Sequence, residues 1–158
     1  MALARRRNSH FPVTVQDAAA HSGSAARVLK MCAAKKPDPH MSFLVVDDDE
    51  AIRESLVAYL EEFGVDNVVQ AVDGQQALRL LGQSSPDVLL LDLMMPNVDG
   101  FQVLQAIRTG KTPKPARIVV LSAHIARGAA AQIRELGADA CVSKPFSERD
   151  LRAAIGLS

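Results

Sequence analysis

From residue 42 onward the chain alternates short apolar runs with longer amphipathic stretches. Val88-Leu89-Leu90-Leu91-Asp92 is four aliphatic residues ending on a carboxylate, bounded by Pro86 and Pro96. A run that short, with no polar alternation, reads as a strand buried on both faces. Phe43 to Val46, Asn67 to Val72, Arg117 to Leu121 and Ala140 to Ser143 read as four further strands. Helical spacing fills the intervals. Glu50 to Glu62 carries Ile52, Leu56, Val57, Leu60 and Phe63 on one stripe and stops at Gly64. Gln75 to Leu81 turns Ala77, Leu78 and Leu81 inward, and Phe101 to Thr109 forms the third helix. Ala126 to Leu136 is closed by Gly137, and a last helix behind Ser147 turns Leu151 and Ile155 inward. Turn chemistry falls at the joints: Asp73-Gly74, Pro96-Asn97-Val98-Asp99-Gly100 and Lys144-Pro145-Phe146. Asp48 or Asp49 can cap the first helix and Asp99 the third.

Strand and helix alternate five times, so the fold class is α/β, a parallel sheet with helices on both faces and right-handed crossovers. Nothing remains after the fifth helix to form a second domain, and no internal repeat is visible.

Residues 1–40 stand apart. They carry seven Lys or Arg against two Asp, a net of +5, with Arg5-Arg6-Arg7 near the start and no useful apolar stripe. Mostly disorder is expected there, with at most a weak Ala-rich helix over Val15 to Lys30. The Arg- and Ser-containing, acid-poor leader shares features with organelle transit peptides; an over-long start is the plainer reading, since Met41 sits directly before the first strand. Residues 41–158 carry eleven basic and sixteen acidic residues, a net of −5, which argues against nucleic acid as the main partner. No apolar run reaches membrane-spanning length, and Cys32 and Cys141 have no metal-ligand spacing, so a cytoplasmic, disulfide-free protein is expected.

In a parallel sheet the C-terminal strand ends share one edge, where ligands bind. This sequence puts Asp47 and Asp48 there after the first strand, Asp92 after the third, Ser122 after the fourth and Lys144 after the fifth. Three carboxylates in one pocket stay ionised only beside a cation, and hard oxygen ligands around an open site favour Mg²⁺. Lys144 adds a positive charge and Ser122 a donor, which together suit a bound phosphoryl group. Asp92 is then the natural nucleophile, because carboxylates attack phosphorus to form acyl phosphates. Singly, these residues have bland readings: helix caps for the Asp pair, a turn hydroxyl for Ser122, a surface charge for Lys144.

Val45-Val46-Asp47-Asp48, Leu91-Asp92 with Met95-Pro96 and Asp99-Gly100, Leu121-Ser122-Ala123 and Lys144-Pro145-Phe146 together resemble a response-regulator receiver domain of two-component signalling, from Met41 to the C-terminus. The resemblance implies a flavodoxin-like doubly wound sheet of order 2-1-3-4-5 in three layers. It implies Asp92 as phosphoacceptor and Asp47, Asp48, Asp92 and the Met94 backbone carbonyl as Mg²⁺ ligands. It further implies Ser122 as a switch hydroxyl, Lys144 on the phosphoryl oxygens and a cis Lys144–Pro145 bond. The implied partners are a histidine kinase or histidine phosphotransfer protein, and a downstream protein reached through the fourth helix, fifth strand and fifth helix; neither nucleic acid nor membrane is expected. Three positions depart from the family's pattern. Cys141 stands where an aromatic switch residue is usual, and Met94 and His124 stand two residues past Asp92 and Ser122, beside the path of the hydrolytic water. Two other functions remain open: a phosphorylation-independent binding module, and a haloacid-dehalogenase-type phosphatase. The latter lacks an acid two residues after the nucleophile, where Met94 stands, and lacks a cap domain.

Overall fold

A computed structural model describes residues 38, 40–123 and 129–157; expectations for the leader, for His124 and for the first turn of the fourth helix lie outside them. In chain order the elements are β1 (Ser42–Val46), α1 (Glu50–Glu62), β2 (Asn67–Ala71), α2 (Gly74–Gln83), β3 (Val88–Asp92), α3 (Gly100–Arg108), β4 (Arg117–Ser122), α4 (Ala129–Glu135), β5 (Ala140–Ser143) and α5 (Glu148–Ile155). The strands form one sheet of order β2-β1-β3-β4-β5, all pairs parallel.

Strand alternation sorts the core into two layers. Phe43, Val45, Val88, Leu90, Val119 and Leu121 face α1 and α5, packing on Leu56, Leu60, Leu151 and Ile155. Leu44, Val46, Leu89, Leu91, Ile118 and Val120 face the other side, against Ala77, Leu81, Val103, Leu104, Ile107 and Ile133. Every residue of β3 is buried. Each of its four aliphatic side chains contributes about 2 kcal/mol by leaving water, which is why the middle strand shows no polar alternation.

Several boundaries differ from the sequence expectation: β1 begins one residue earlier, at Ser42, α3 runs from Gly100 to Arg108, α4 ends at Glu135, and three further shifts have a visible cause. Val72 leaves the sheet because its N–H donates to Gln76 Oε1 at 3.0 Å instead of to a strand. α2 extends to Gln83, past Gly82, and starts behind Asp73, which accepts the Gln76 N–H at 2.7 Å. Ser122 belongs to β4, held in register with Ser143. Within α1, Ile52 and Val57 are only partly buried, while Arg53, which the apolar pattern passes over, lies in the buried stripe with Leu56 and Leu60. Leu78 in α2 is likewise only partly buried.

Below the sheet, at the N-terminal strand ends, Asp87 clasps β1. Its Oδ2 accepts from the Ser42 N–H and the Ser42 hydroxyl, both at 2.8 Å. The Ser42 backbone bond first, and the hydroxyl bond second, hold its carboxyl below the usual carboxylate range. A depressed carboxylate pKa adds stability above its unfolded value, about 3.9, and that stability fades as pH falls through the folded value. Asp87→Asn is therefore expected to lose roughly 2 kcal/mol in urea unfolding near neutral pH, with the gap to wild type closing below pH about 4. A gap that persists unchanged in acid would show that the charge has no part in it.

Candidate functional site

The sheet's C-terminal edge gathers the polar residues that the core excludes. Asp47 follows β1 and is held there by its N–H, which donates to the Ala71 carbonyl at 3.3 Å. Asp47, Asp92 and Ser122 are each at most 3% exposed, whereas Asp48 is exposed. Asp49 is the α1 cap, accepting from the Ala51 and Ile52 N–H groups at 2.9 and 3.4 Å. That leaves Asp48 free of capping duty. Carboxylate oxygens of Asp47, Asp48 and Asp92 lie within 4.8 Å of one another.

Lys144 closes the pocket. Its N–H donates to the Ser122 carbonyl at 2.8 Å, so β5 delivers it beside the end of β4, and its bond to Pro145 is cis. The ammonium donates to Asp47 Oδ2 at 2.6 Å and Asp92 Oδ1 at 2.9 Å. Burial works against that charge, but the hydrogen bonds to the two carboxylates outweigh it and raise the Lys144 pKa above the ordinary lysine value. Asp92 moves the other way for an acid. Burial pushes its pKa up, Lys144 pulls it down, and the Asp47 and Asp48 charges push it up again, leaving it above the ordinary aspartate value. One ammonium does not neutralise three carboxylates. The donor set is all oxygen, two carboxylates are buried, and the third opens to solvent, which fits a divalent hard cation that keeps water ligands. Asp47, Asp48 and Asp92 are the residues that would hold it; Met94 follows Asp92 by two positions on the β3–α3 loop, its side chain 72% exposed.

That loop is set by short-range chemistry. Asn97 takes the left-handed conformation at φ 65°, which asparagine tolerates better than most residues. Asp99 and Gln102 form a reciprocal capping box that starts α3. The Gly100 N–H donates to the Leu93 carbonyl at 3.0 Å, drawing the helix start against the end of β3. Cys141 lies on the α2–α4 face of β5 against the core, and burial pushes its thiol up to about 11. A thiol held that high keeps its proton near neutral pH, and the side chain stays partly exposed.

Residues 43–156 match the response regulator receiver domain family. The chain belongs to that family. A receiver domain is the phosphoacceptor module of two-component signalling, and receivers generally bind Mg²⁺ at an acidic pocket of this kind. The chain is similar to the probable transcriptional regulator ycf27 of Guillardia theta, 42% identical over 114 residues, which are 71% of this chain and 42% of that one. It is 32% identical to the protein PilG of Pseudomonas aeruginosa over 115 residues, 73% of this chain and 84% of PilG. Among solved structures it resembles a Burkholderia pseudomallei response regulator with a phosphorylated aspartic acid and a calcium ion, at TM-score 0.65 and 30% identity, covering 73% of this chain and 66% of that one. The matched stretch thus spans less than half of some curated relatives and most of others.

The structure brings Asp47, Asp48, Asp92 and Lys144 into one pocket, with Ser122 at the adjoining strand end. Sequence reasoning missed Arg53, whose Nη1 donates to the Asp47 carbonyl at 2.8 Å. The signal was present: Arg53 falls on the same helical spacing as Leu56 and Leu60.

Proposed function

We propose that this receiver takes a phosphoryl group on Asp92, with Mg²⁺ as cofactor, from a histidine kinase or histidine phosphotransfer protein. The observation that carries this is the Lys144 ammonium bridging buried Asp47 and Asp92 inside a three-carboxylate cluster. An Asp92 oxygen attacks phosphorus of the donor phosphohistidine. The P–N bond breaks, its electron pair leaves with the imidazole, and an aspartyl phosphate forms. Lys144 then moves its bond from the Asp92 carboxylate to a phosphoryl oxygen, and the Ser122 hydroxyl donates to another. Asp47, Asp48 and Asp92 would hold Mg²⁺, which when bound would supply positive charge to offset that of the phosphoryl group. The chain acts as a phosphoacceptor with slow self-dephosphorylation, not as a turnover enzyme.

Its setting is the cytoplasm. The signal leaves by protein contact or onward phosphotransfer through α4, β5 and α5, and the likeness to PilG, most of whose length is matched, supports a stand-alone role. Among the described residues no helix is long and apolar enough to cross a membrane. Cys141 favours one second reading, a phosphorylation-independent binding module, because a small, half-buried thiol cannot swing as an aromatic ring does.

Intact-mass measurement after incubation with acetyl phosphate separates the two. A single base-labile phosphoryl adduct that needs Mg²⁺ is expected; its absence, with Mg²⁺ still bound, favours the module. Lys144→Met is expected to slow adduct formation about 100-fold, as loss of a preorganised positive charge does elsewhere. It should also tighten Mg²⁺ binding, since Lys144 competes for the same carboxylates. Titration calorimetry and stopped-flow quenching check the pair of effects. Met94→Asn and His124→Ala are expected to change adduct lifetime, read by timed mass spectra; unaltered lifetimes would remove both residues from the water path.

A further inference from the structure

Resting on the phosphoacceptor reading above, we infer that Arg53 is a positioning residue for the cation site: it holds the Asp47 carbonyl and thereby sets the divergence of the Asp47 and Asp48 carboxylates. Neighbouring residues on an extended chain point to opposite faces, so two adjacent aspartates serve one ion only if the backbone between them leaves the strand path. Here Asp47 is fully buried and Asp48 exposed, yet their oxygens lie within 4.8 Å. The sheet takes only one side of that junction. The Asp47 N–H goes to Ala71 on β2, and its carbonyl goes to the Arg53 Nη1 at 2.8 Å.

Arg53 is itself buried, at 9% exposure, and its guanidinium is bonded to the Asp47 carbonyl. A buried guanidinium directed at a neutral carbonyl is an expensive placement for packing alone. Its place one turn inside α1, whose cap is Asp49, ties the helix start to the Asp47–Asp48 peptide. Both ends of the β1–α1 junction are therefore fixed: Asp49 caps one side, and Arg53 pins the other.

The test is Mg²⁺ affinity by titration calorimetry alongside urea stability. The proteins are wild type, Arg53→Met, Arg53→Lys and Leu60→Ala, the last a fully buried control further along the same helix. Arg53→Met is expected to weaken Mg²⁺ binding about tenfold, the range seen when a ligand's supporting hydrogen bond is removed. Arg53→Lys should recover part of that loss. Leu60→Ala should keep wild-type affinity despite lost stability. If Arg53→Met does not fold, Arg53→Gln reads the same direction. Wild-type affinity in the Arg53 variants, or equal weakening in Leu60→Ala, overturns the inference while leaving the phosphoacceptor reading intact. Wild-type protein that takes no Mg²⁺ overturns both.

Discussion

Asp92→Asn is expected to abolish the phosphoryl adduct outright while leaving the fold intact. The amide keeps the size of the side chain and a carbonyl oxygen, but it has no anionic oxygen to attack phosphorus. Asp47 cannot stand in, because it is fully buried with one oxygen on the Lys144 ammonium at 2.6 Å and the other on the Asp49 N–H at 3.0 Å. Asp48 is exposed, and the Lys144 ammonium is bonded to Asp47 and Asp92 instead. Stability should not follow activity downward. Burial, with Asp47 and Asp48 nearby, raises the Asp92 carboxyl above its ordinary value. A raised carboxylate pKa means that the ionised form costs stability, increasingly as pH rises through the folded value. Removing that charge relieves the cluster, so in metal-free buffer at neutral pH the variant should unfold at the same urea concentration as wild type or higher. Mg²⁺ should then stabilise wild type more than the variant, since one of three carboxylate ligands is gone. An Asp92→Asn protein that still forms the adduct would move the nucleophile elsewhere.

The second large effect belongs to Gly100. A Cβ built there would stand 2.8 Å from the Leu93 Cα and closer still to the Asp92 carbonyl oxygen. Both obstacles are backbone, and neither is the far end of a flexible side chain. The α3 start cannot retreat cheaply, because the Gly100 N–H is bonded to the Leu93 carbonyl and Asp99 and Gln102 cap the helix. Gly100→Ala is therefore expected to cost about 3 kcal/mol, at the upper end for overpacking. It should also displace the phosphoacceptor's own peptide, so adduct formation should fall even at temperatures where the variant is fully folded. Urea unfolding combined with initial rates of adduct formation checks both parts. A variant with wild-type stability and rate would show that the close approach is not required.

Much of this molecule was legible in residue order because burial and turn chemistry are local signals. The unbroken Val88–Leu91 run announced a strand covered on both faces, and the structure buries all of it between the two helical layers. The joints at Asp73 and Asp99 became the caps of α2 and α3. The pocket was legible for a topological reason: a parallel sheet puts every strand's C-terminal residue on one edge. What the sequence left open was division of labour. Asp48 and Asp49 were equal candidates for capping α1, and only the bonds from Ala51 and Ile52 assign Asp49 to the cap. Val72 looked like strand because it is β-branched and apolar, yet its N–H donates to the Gln76 Oε1 and not to a neighbouring strand. Arg53 was invisible to a reading that tracks apolar residues, since its burial depends on finding a carbonyl six residues back. Cys141 was visible as an oddity, but its protonated, core-facing state rests on contacts with the α2–α4 layer.

The most direct measurement is the position of the phosphoryl group after acetyl phosphate and Mg²⁺ treatment, trapped by borohydride reduction and mapped by peptide mass spectrometry. Reduction of an acyl phosphate converts the aspartate to homoserine. The expected result is homoserine at position 92 alone, dependent on Mg²⁺. Homoserine at another position, or none in protein that binds Mg²⁺, would contradict Asp92 as the phosphoacceptor.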